Sequence, residues 1–247
     1  MRHTSNWDPS FDPSNKKIAV IGNGASGIQV VPNLQLVAKH VTHFVRNPTW
    51  IATSWAGDER TFEPQPYPDE QRKSFEDPET YLAFRKDLED RYWRRFRAMV
   101  RGSTENEGIR ELFIDVMKKR AAKKPELLDG LIPDFAPHCR RLTPGPGYLE
   151  SLTEDNVELV KTHIKRFTST GIETTDGKSF DFDAILCATG ANTDLVPPFP
   201  IKARGVDLNE AWKPEGKWGF PYTYLGMATP GFPNVCPNMY SSIQTIH

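Results

Sequence analysis

The sequence predicts an α/β fold built around a parallel sheet, and two observations carry that prediction. First, Ile18–Ile21 is a short apolar run that enters Gly22-Asn23-Gly24-Ala25-Ser26-Gly27 and then a segment with Ile28, Val31, Leu34 and Val37 or Ala38 at helical spacing. A second apolar run, Val41–Val45, closes the pattern on Arg46. Strand, glycine turn, helix and strand over this length make one βαβ unit. Second, short apolar stretches reappear after Pro137, separated by turn residues.

The glycine turn carries chemistry as well as shape. Gly22 permits a tight turn, Gly24 leaves the backbone open to close approach by a pyrophosphate, and Gly27 lets the helix lie against the strand. The exposed amides at a helix start, with the helix dipole, attract a diphosphate. Asn23, Ala25 and Ser26 complete the candidate dinucleotide-binding loop. The alternative for the same residues is a turn with a packing role alone. Where an NAD site places an acid at the end of the second strand, this chain has Arg46 and no carboxylate until Asp58. A guanidinium forms paired hydrogen bonds with a 2′-phosphate, which favours NADP over NAD; a solvated surface arginine is the other reading.

The remaining elements follow in order. Residues 1–15 are polar and turn-rich and read as a connector; His3 and Trp7 there carry no message by composition alone. A loop rich in proline and aromatics runs to Pro68. From Pro78 to Arg101, Tyr81, Phe84, Leu88, Tyr92, Phe96 and Met99 recur at helical spacing. Its basic residues interleave with Glu79, Asp87, Glu89 and Asp90, as on a solvated face with i,i+4 pairs. A second helix is expected over Asn106–Lys124 and a short third over Glu126–Ile132, together forming an insertion over the nucleotide site. A short helix at Tyr148–Leu152, a strand at Val157–Val160 and another over Ile164–Thr168 come next. Ile172–Thr175 and Ser179–Phe182 flank Asp176-Gly177 as a hairpin, and Ala184–Ala188 is a buried strand ending in Thr189-Gly190. From Pro197 onward little regular structure is expected.

Bulk properties exclude several classes. The 247 residues give ample core for one large or two small domains. With 31 basic and 32 acidic residues, nothing points to nucleic acid or a membrane surface. No run is long and apolar enough to span a bilayer. Cys139, Cys187 and Cys236 are few and dispersed, which fits a reducing, cytoplasmic setting and gives no metal-site spacing.

Several local patterns in fixed order resemble FAD-dependent monooxygenases of the Baeyer–Villiger type, especially fungal polyketide-tailoring members. They are HTSNWD at 3–8, GNGASG at 22–27, Arg140-Arg141 before LTPGPGYLESLTEDNV, ILCATG at 185–190 and YTYLGMATPGFPNV at 222–235. The resemblance implies a Rossmann-like NADP-binding domain at 16–60 and 138–192, with a helical insertion at 61–137. It further implies a linker from a FAD domain at 1–15 and a remnant of that second dinucleotide-binding domain at 193–247.

The family oxidises a small-molecule ketone with FAD, NADPH and oxygen, in secondary metabolism for the fungal members. On this resemblance Gly22, Gly24, Ser26 and Gly27 hold the NADPH diphosphate and Arg46 its 2′-phosphate. Arg141 aligns with the active-site arginine, a fixed cation where negative charge develops. His3 and Trp7 look like the end of a fingerprint that couples the two domains. Thr189-Gly190 resembles a shorter dinucleotide-domain motif; a strand-end turn is its plain reading. The family's FAD-binding glycine motif precedes the NADPH unit, but only 21 residues stand before Gly22, and the sequence departs from the pattern after Val235. Most of the flavin site is therefore expected to be missing from this chain. That leaves a partial monooxygenase, a non-catalytic NADP(H)-binding module paired with a separate flavin-carrying chain, or an inactive remnant.

Overall fold

The computed structural model describes residues 1–52, 66–140, 142–191, 196 and 199–235, and the chain divides into two units, Met1–Gly190 and Ala191–His247. The first unit opens with a two-residue strand, β1 (Arg2–His3), within the stretch whose polar composition reads as a connector. Then come β2 (Lys17–Ile21), α1 (Ala25–Gln35) and β3 (His40–Phe44), the strand–turn–helix–strand of the glycine segment. Between β3 and the later strands come α2 (Asp69–Ser74), α3 (Pro78–Trp93) and α4 (Thr104–Arg120). After these helices come α5 (Tyr148–Leu152), β4 (Val157–Val160), β5 (Ile164–Phe167), β6 (Gly171–Thr174), β7 (Ser179–Asp181) and β8 (Ala184–Cys187).

Five strands form one sheet in the order β1-β8-β2-β3-β4, and every neighbouring pair is parallel. Both faces are covered, which is why β2 reads as an unbroken apolar run instead of alternating. Ile18 and Val20 face a core shared with Ile28, Val31 and Leu34 of α1, Phe113 and Met117 of α4, and Leu149 and Leu152 of α5. Ala19 and Ile21 point to the other side, where they meet Phe44, Val160, Ile172, Phe180 and Phe182. That second face carries the antiparallel sheet β5-β6-β7, whose tight turn has Gly177 at φ +86°, as the Asp-Gly pair predicts.

The long helices α3 and α4 differ in how they are held. In α4 the Ser103 side chain accepts from the Asn106 amide at 3.0 Å, acids occupy the first turn and Lys118–Arg120 the last, an arrangement that complements the helix dipole. Its buried Phe113 and Met117 root it in the main core. By contrast α3 has no buried residue among those described. It ends at Trp93 in a 3₁₀ turn, Arg94–Met99, short of the Arg101 expected from periodicity. Charges surround its apolar positions, so Tyr81 and Phe84 gather with Tyr67 and Phe75 in a small aromatic group. The expected i,i+4 pairs are present, Arg91 with Asp87 at 2.6 Å and Arg94 with Asp90.

The second unit contains the antiparallel pair β9 (Lys202–Ala203) and β10 (Val206–Asp207), followed by α6 (Leu208–Trp212). Asp207 caps α6 by accepting from the Asn209 amide at 3.0 Å, and Leu208, Trp212 and Phe232 form its core.

Candidate nucleotide site

All five strands of the main sheet run the same way, so their C-terminal ends share one rim. β2 is where the topology divides: the chain leaves it to build β3 on one side, and β8 returns to pair on the other. Open α/β sheets take ligands at such a point, outside the strand carboxyl ends. Along this rim the structure brings together His3 at the end of β1, Thr189-Gly190 after β8, Gly22–Gly27 after β2, and Arg46 after β3.

Each glycine of the turn has a different environment. Gly22 adopts φ +102°, and a β-carbon there would lie 2.5 Å from the Ala188 carbonyl oxygen. A β-carbon on Gly27 would overlap the Gly22 carbonyl oxygen. Gly24 is the exception: its φ is an ordinary −70° and a β-carbon would meet no atom within 4 Å. It is the N-cap of α1, and no side chain caps that helix, so amides in its first turn lack intrahelical partners. Gly24, Ala25 and Ser26 are exposed, while Gly27 and Ile28 are buried. The Asn23 side chain donates through Nδ2 to the Asn47 carbonyl at 2.8 Å, tying the turn to the segment that follows Arg46. Arg46 itself is exposed. Beside the turn, Gly190 has φ +91° with open space around its α-carbon.

Other candidate residues are placed differently. His3 accepts from the Ser5 amide through Nδ1 at 3.2 Å. Trp7 turns off the rim toward Phe11, ring centroids 6.0 Å apart, and shares a surface hollow with Arg2 and Asp183–Leu186. Arg141 lies outside the described residues. Its neighbours are well anchored: Arg140 stacks over Phe135 at 4.9 Å, and the Thr143 carbonyl accepts from the Ala52 amide at 2.9 Å. The carbonyls of Pro144 and Gly145 accept from the Arg120 guanidinium at 3.0 and 2.6 Å. Arg120, nearly buried, also forms a forked pair with Glu150. Burial works to raise Glu150, but the hydrogen bond from Arg120 leaves its carboxyl below the ordinary range.

Two residues at the turn escape the motif. His43, in β3, is fully buried, with Nε2 3.1 Å from the Gly22 carbonyl and Nδ1 3.4 Å from the Tyr148 hydroxyl. Burial pushes His43 down to about 4, against a smaller upward pull from the Gly22 hydrogen bond. The available signal was a histidine inside the apolar run Val41–Val45, on the same face as Val41. Among the described residues no group of His, Cys, Asp or Glu is arranged to hold a metal, and no helix is long and apolar enough to cross a membrane. Cys139 and Cys187 are free thiols; Cys236 lies outside the described residues.

No family model matches the chain. Among curated proteins it is 38% identical over 240 residues to the FAD-binding monooxygenase tazF of Aspergillus terreus, covering 94% of this chain and 41% of that protein. It is 34% identical to the FAD-binding monooxygenase moxY of Dothistroma septosporum, covering 94% and 37%. It is also 33% identical to the FAD-binding monooxygenase stcW of Emericella nidulans, covering 94% and 38%. Among solved structures it resembles OTEMO in complex with FAD and NADP, with TM-score 0.72 and 26% identity over 93% of this chain and 49% of that one. The fold also matches cyclohexanone monooxygenase from Rhodococcus sp. Phi1 bound to NADP+, with TM-score 0.72 and 24% identity over 94% and 49%. The chain thus spans less than half the length of these relatives. Over that span, this chain resembles proteins named FAD-binding monooxygenases.

Proposed function

We propose that the sheet rim is an NADPH-binding site, with the diphosphate on the Gly22–Gly27 turn and the 2′-phosphate at Arg46. One observation carries the reading: the empty space beside Gly24 at the uncapped start of α1. A diphosphate fits this cradle because it accepts from successive backbone amides and gains from the helix dipole. Thr189 and Gly190 border the cradle on the β8 side. On this reading 16–60 and 138–192 are the NADP-binding domain and 61–137 its helical insertion. Residues 1–15 link it to a FAD-binding domain, and 193–247 belong to the chain's return to that domain.

For the whole protein we infer an NADPH- and FAD-dependent monooxygenase of Baeyer–Villiger type. Its substrate is a small-molecule ketone, a polyketide intermediate of fungal secondary metabolism. The support is the fungal relatives named as FAD-binding monooxygenases and the likeness in fold to an NADP+-bound cyclohexanone monooxygenase. Arg141 is the proposed cation at the reacting centre, and His3 with Trp7 the proposed coupling between domains. FAD, when bound, would supply the oxygen-activating chemistry. Among the described residues, however, the one strand–glycine turn–helix cradle is the one assigned to NADPH. The flavin would therefore need residues beyond these. A second reading is a non-catalytic NADP(H)-binding module acting with a separate flavin-carrying chain. A visible flavin band retained by the folded chain after adding FAD and removing the excess excludes that module. A cytoplasmic location is proposed from the few dispersed cysteines.

Gly24→Ala tests the nucleotide site. Its β-carbon enters open space at an ordinary φ, so the chain should fold with a melting temperature within a few degrees of wild type. NADPH affinity should fall about 10-fold or more, the cost of losing about one charge-assisted hydrogen bond to phosphate. Unchanged NADPH affinity in calorimetry would remove the diphosphate assignment.

A further inference from the structure

We propose that His43 is a positioning residue for the diphosphate turn, holding the Gly22 carbonyl inward so that the following amides face outward. The proposal rests on the NADPH reading of the rim. A carbonyl can only accept, so the 3.1 Å contact requires the proton on Nε2. A neutral ring then leaves Nδ1 as an acceptor, and the Tyr148 hydroxyl, 3.4 Å away, donates to it. Tyr148 is itself buried, and its ring stands edge-on to His43 with centroids 5.7 Å apart and an 84° interplanar angle. The result is a buried relay from α5, through β3, to the first residue of the turn.

The relay acts on the peptide that decides what the turn presents. Gly22 donates its amide to the Phe44 carbonyl at 2.9 Å, and Ala188 blocks its α-carbon. Its φ of +102° belongs to a residue type that rotates easily. Rotation of the Gly22–Asn23 peptide would aim the carbonyl, a partial negative charge, toward the site of the anion. The His43 hydrogen bond opposes that rotation. That hydrogen bond is made to the Gly22 carbonyl and not to Arg46, whose segment meets the turn through Asn23 and the Asn47 carbonyl. The diphosphate half and the 2′-phosphate half of the site should therefore respond differently when His43 changes.

The test uses the full chain with His43→Phe, His43→Gln and Tyr148→Phe, each checked for folding by circular dichroism. Titrations with NADP+ and with adenosine 2′-monophosphate, which lacks the diphosphate, are followed by calorimetry. His43→Phe should weaken NADP+ roughly 10-fold and leave adenosine 2′-monophosphate within about 2-fold, as expected for one lost buried hydrogen bond. His43→Gln, which restores a donor, should recover most of the loss, and Tyr148→Phe should weaken NADP+ about 3-fold. Equal losses for both ligands, or wild-type NADP+ affinity in His43→Phe, would overturn the proposal. If His43→Phe does not fold, Tyr148→Phe decides: unchanged NADP+ affinity in that variant overturns it. A wild-type chain that binds Cibacron-type dye or NADPH at no concentration would instead defeat the underlying nucleotide reading. In that case amide exchange at Gly22 decides the relay: faster exchange in the variants supports the lock, and unchanged exchange overturns it.

Discussion

Acidification should destabilise the fold through His43, and by an amount the structure sets. Burial holds the ring down at about 4 from an ordinary 6.5. At neutral pH it is uncharged in both the folded and unfolded chain and contributes nothing to the difference. As pH falls below 6.5 the unfolded chain takes up a proton that the native fold refuses, so native stability drops. The loss stops growing near pH 4, where the native ring is protonated as well. Between those limits the loss amounts to about 3 kcal/mol, from 1.36 kcal/mol per pKa unit. The carboxylates held low, Asp8, Asp77 and Glu173 among them, add their own acid dependence. That dependence is common to wild type and His43→Phe and cancels in their difference. Urea unfolding followed by tryptophan fluorescence at several pH values gives that difference directly. His43→Phe should be less stable than wild type at neutral pH, and the gap should shrink by about 3 kcal/mol toward pH 4. A pH-independent gap would mean that the buried ring titrates normally, and the argument from burial would fail.

Three further outcomes follow from the geometry. Arg46→Ala should weaken NADPH by roughly 10- to 100-fold and NADH by less than about 2-fold, from loss of a paired guanidinium–phosphate contact; equal losses in calorimetry would refute the 2′-phosphate role. Gly27→Ala, whose β-carbon overlaps the Gly22 carbonyl oxygen, should cost about 3 kcal/mol or more, in the range of severe core overpacking. A melting temperature like that of Gly24→Ala would contradict the packing. Arg120→Met should cost about 2–4 kcal/mol by leaving the Pro144 and Gly145 carbonyls without this donor; a loss under about 1 kcal/mol in urea unfolding would show that the loop does not depend on it.

What the sequence disclosed and what it withheld follow from the range of the forces involved. The Ile18–Arg46 unit was legible because its signals are local: a buried run, glycines at fixed offsets and a helical stripe all lie within one supersecondary motif. Tyr148–Leu152 and Val157–Val160 were equally plain, being short periodic segments between turn residues. The edge strand Arg2–His3 was hidden because two residues have no periodicity, and pairing with Leu186 and Cys187 is made across the length of the unit. Helix α3 misled in the opposite way. Its spacing marked an apolar stripe, but spacing does not report whether a partner surface exists: Tyr81 remains exposed and Phe84 and Leu88 are only half-buried. His43 combines both difficulties: its burial comes from neighbours over one hundred positions away in Tyr148, while its target, Gly22, lies in the motif itself. A glycine fingerprint therefore reports which backbone positions must be free of side chains. It does not report which side chain keeps that backbone turned the right way, because a hydrogen bond to a carbonyl can arrive from any strand the fold places beneath it.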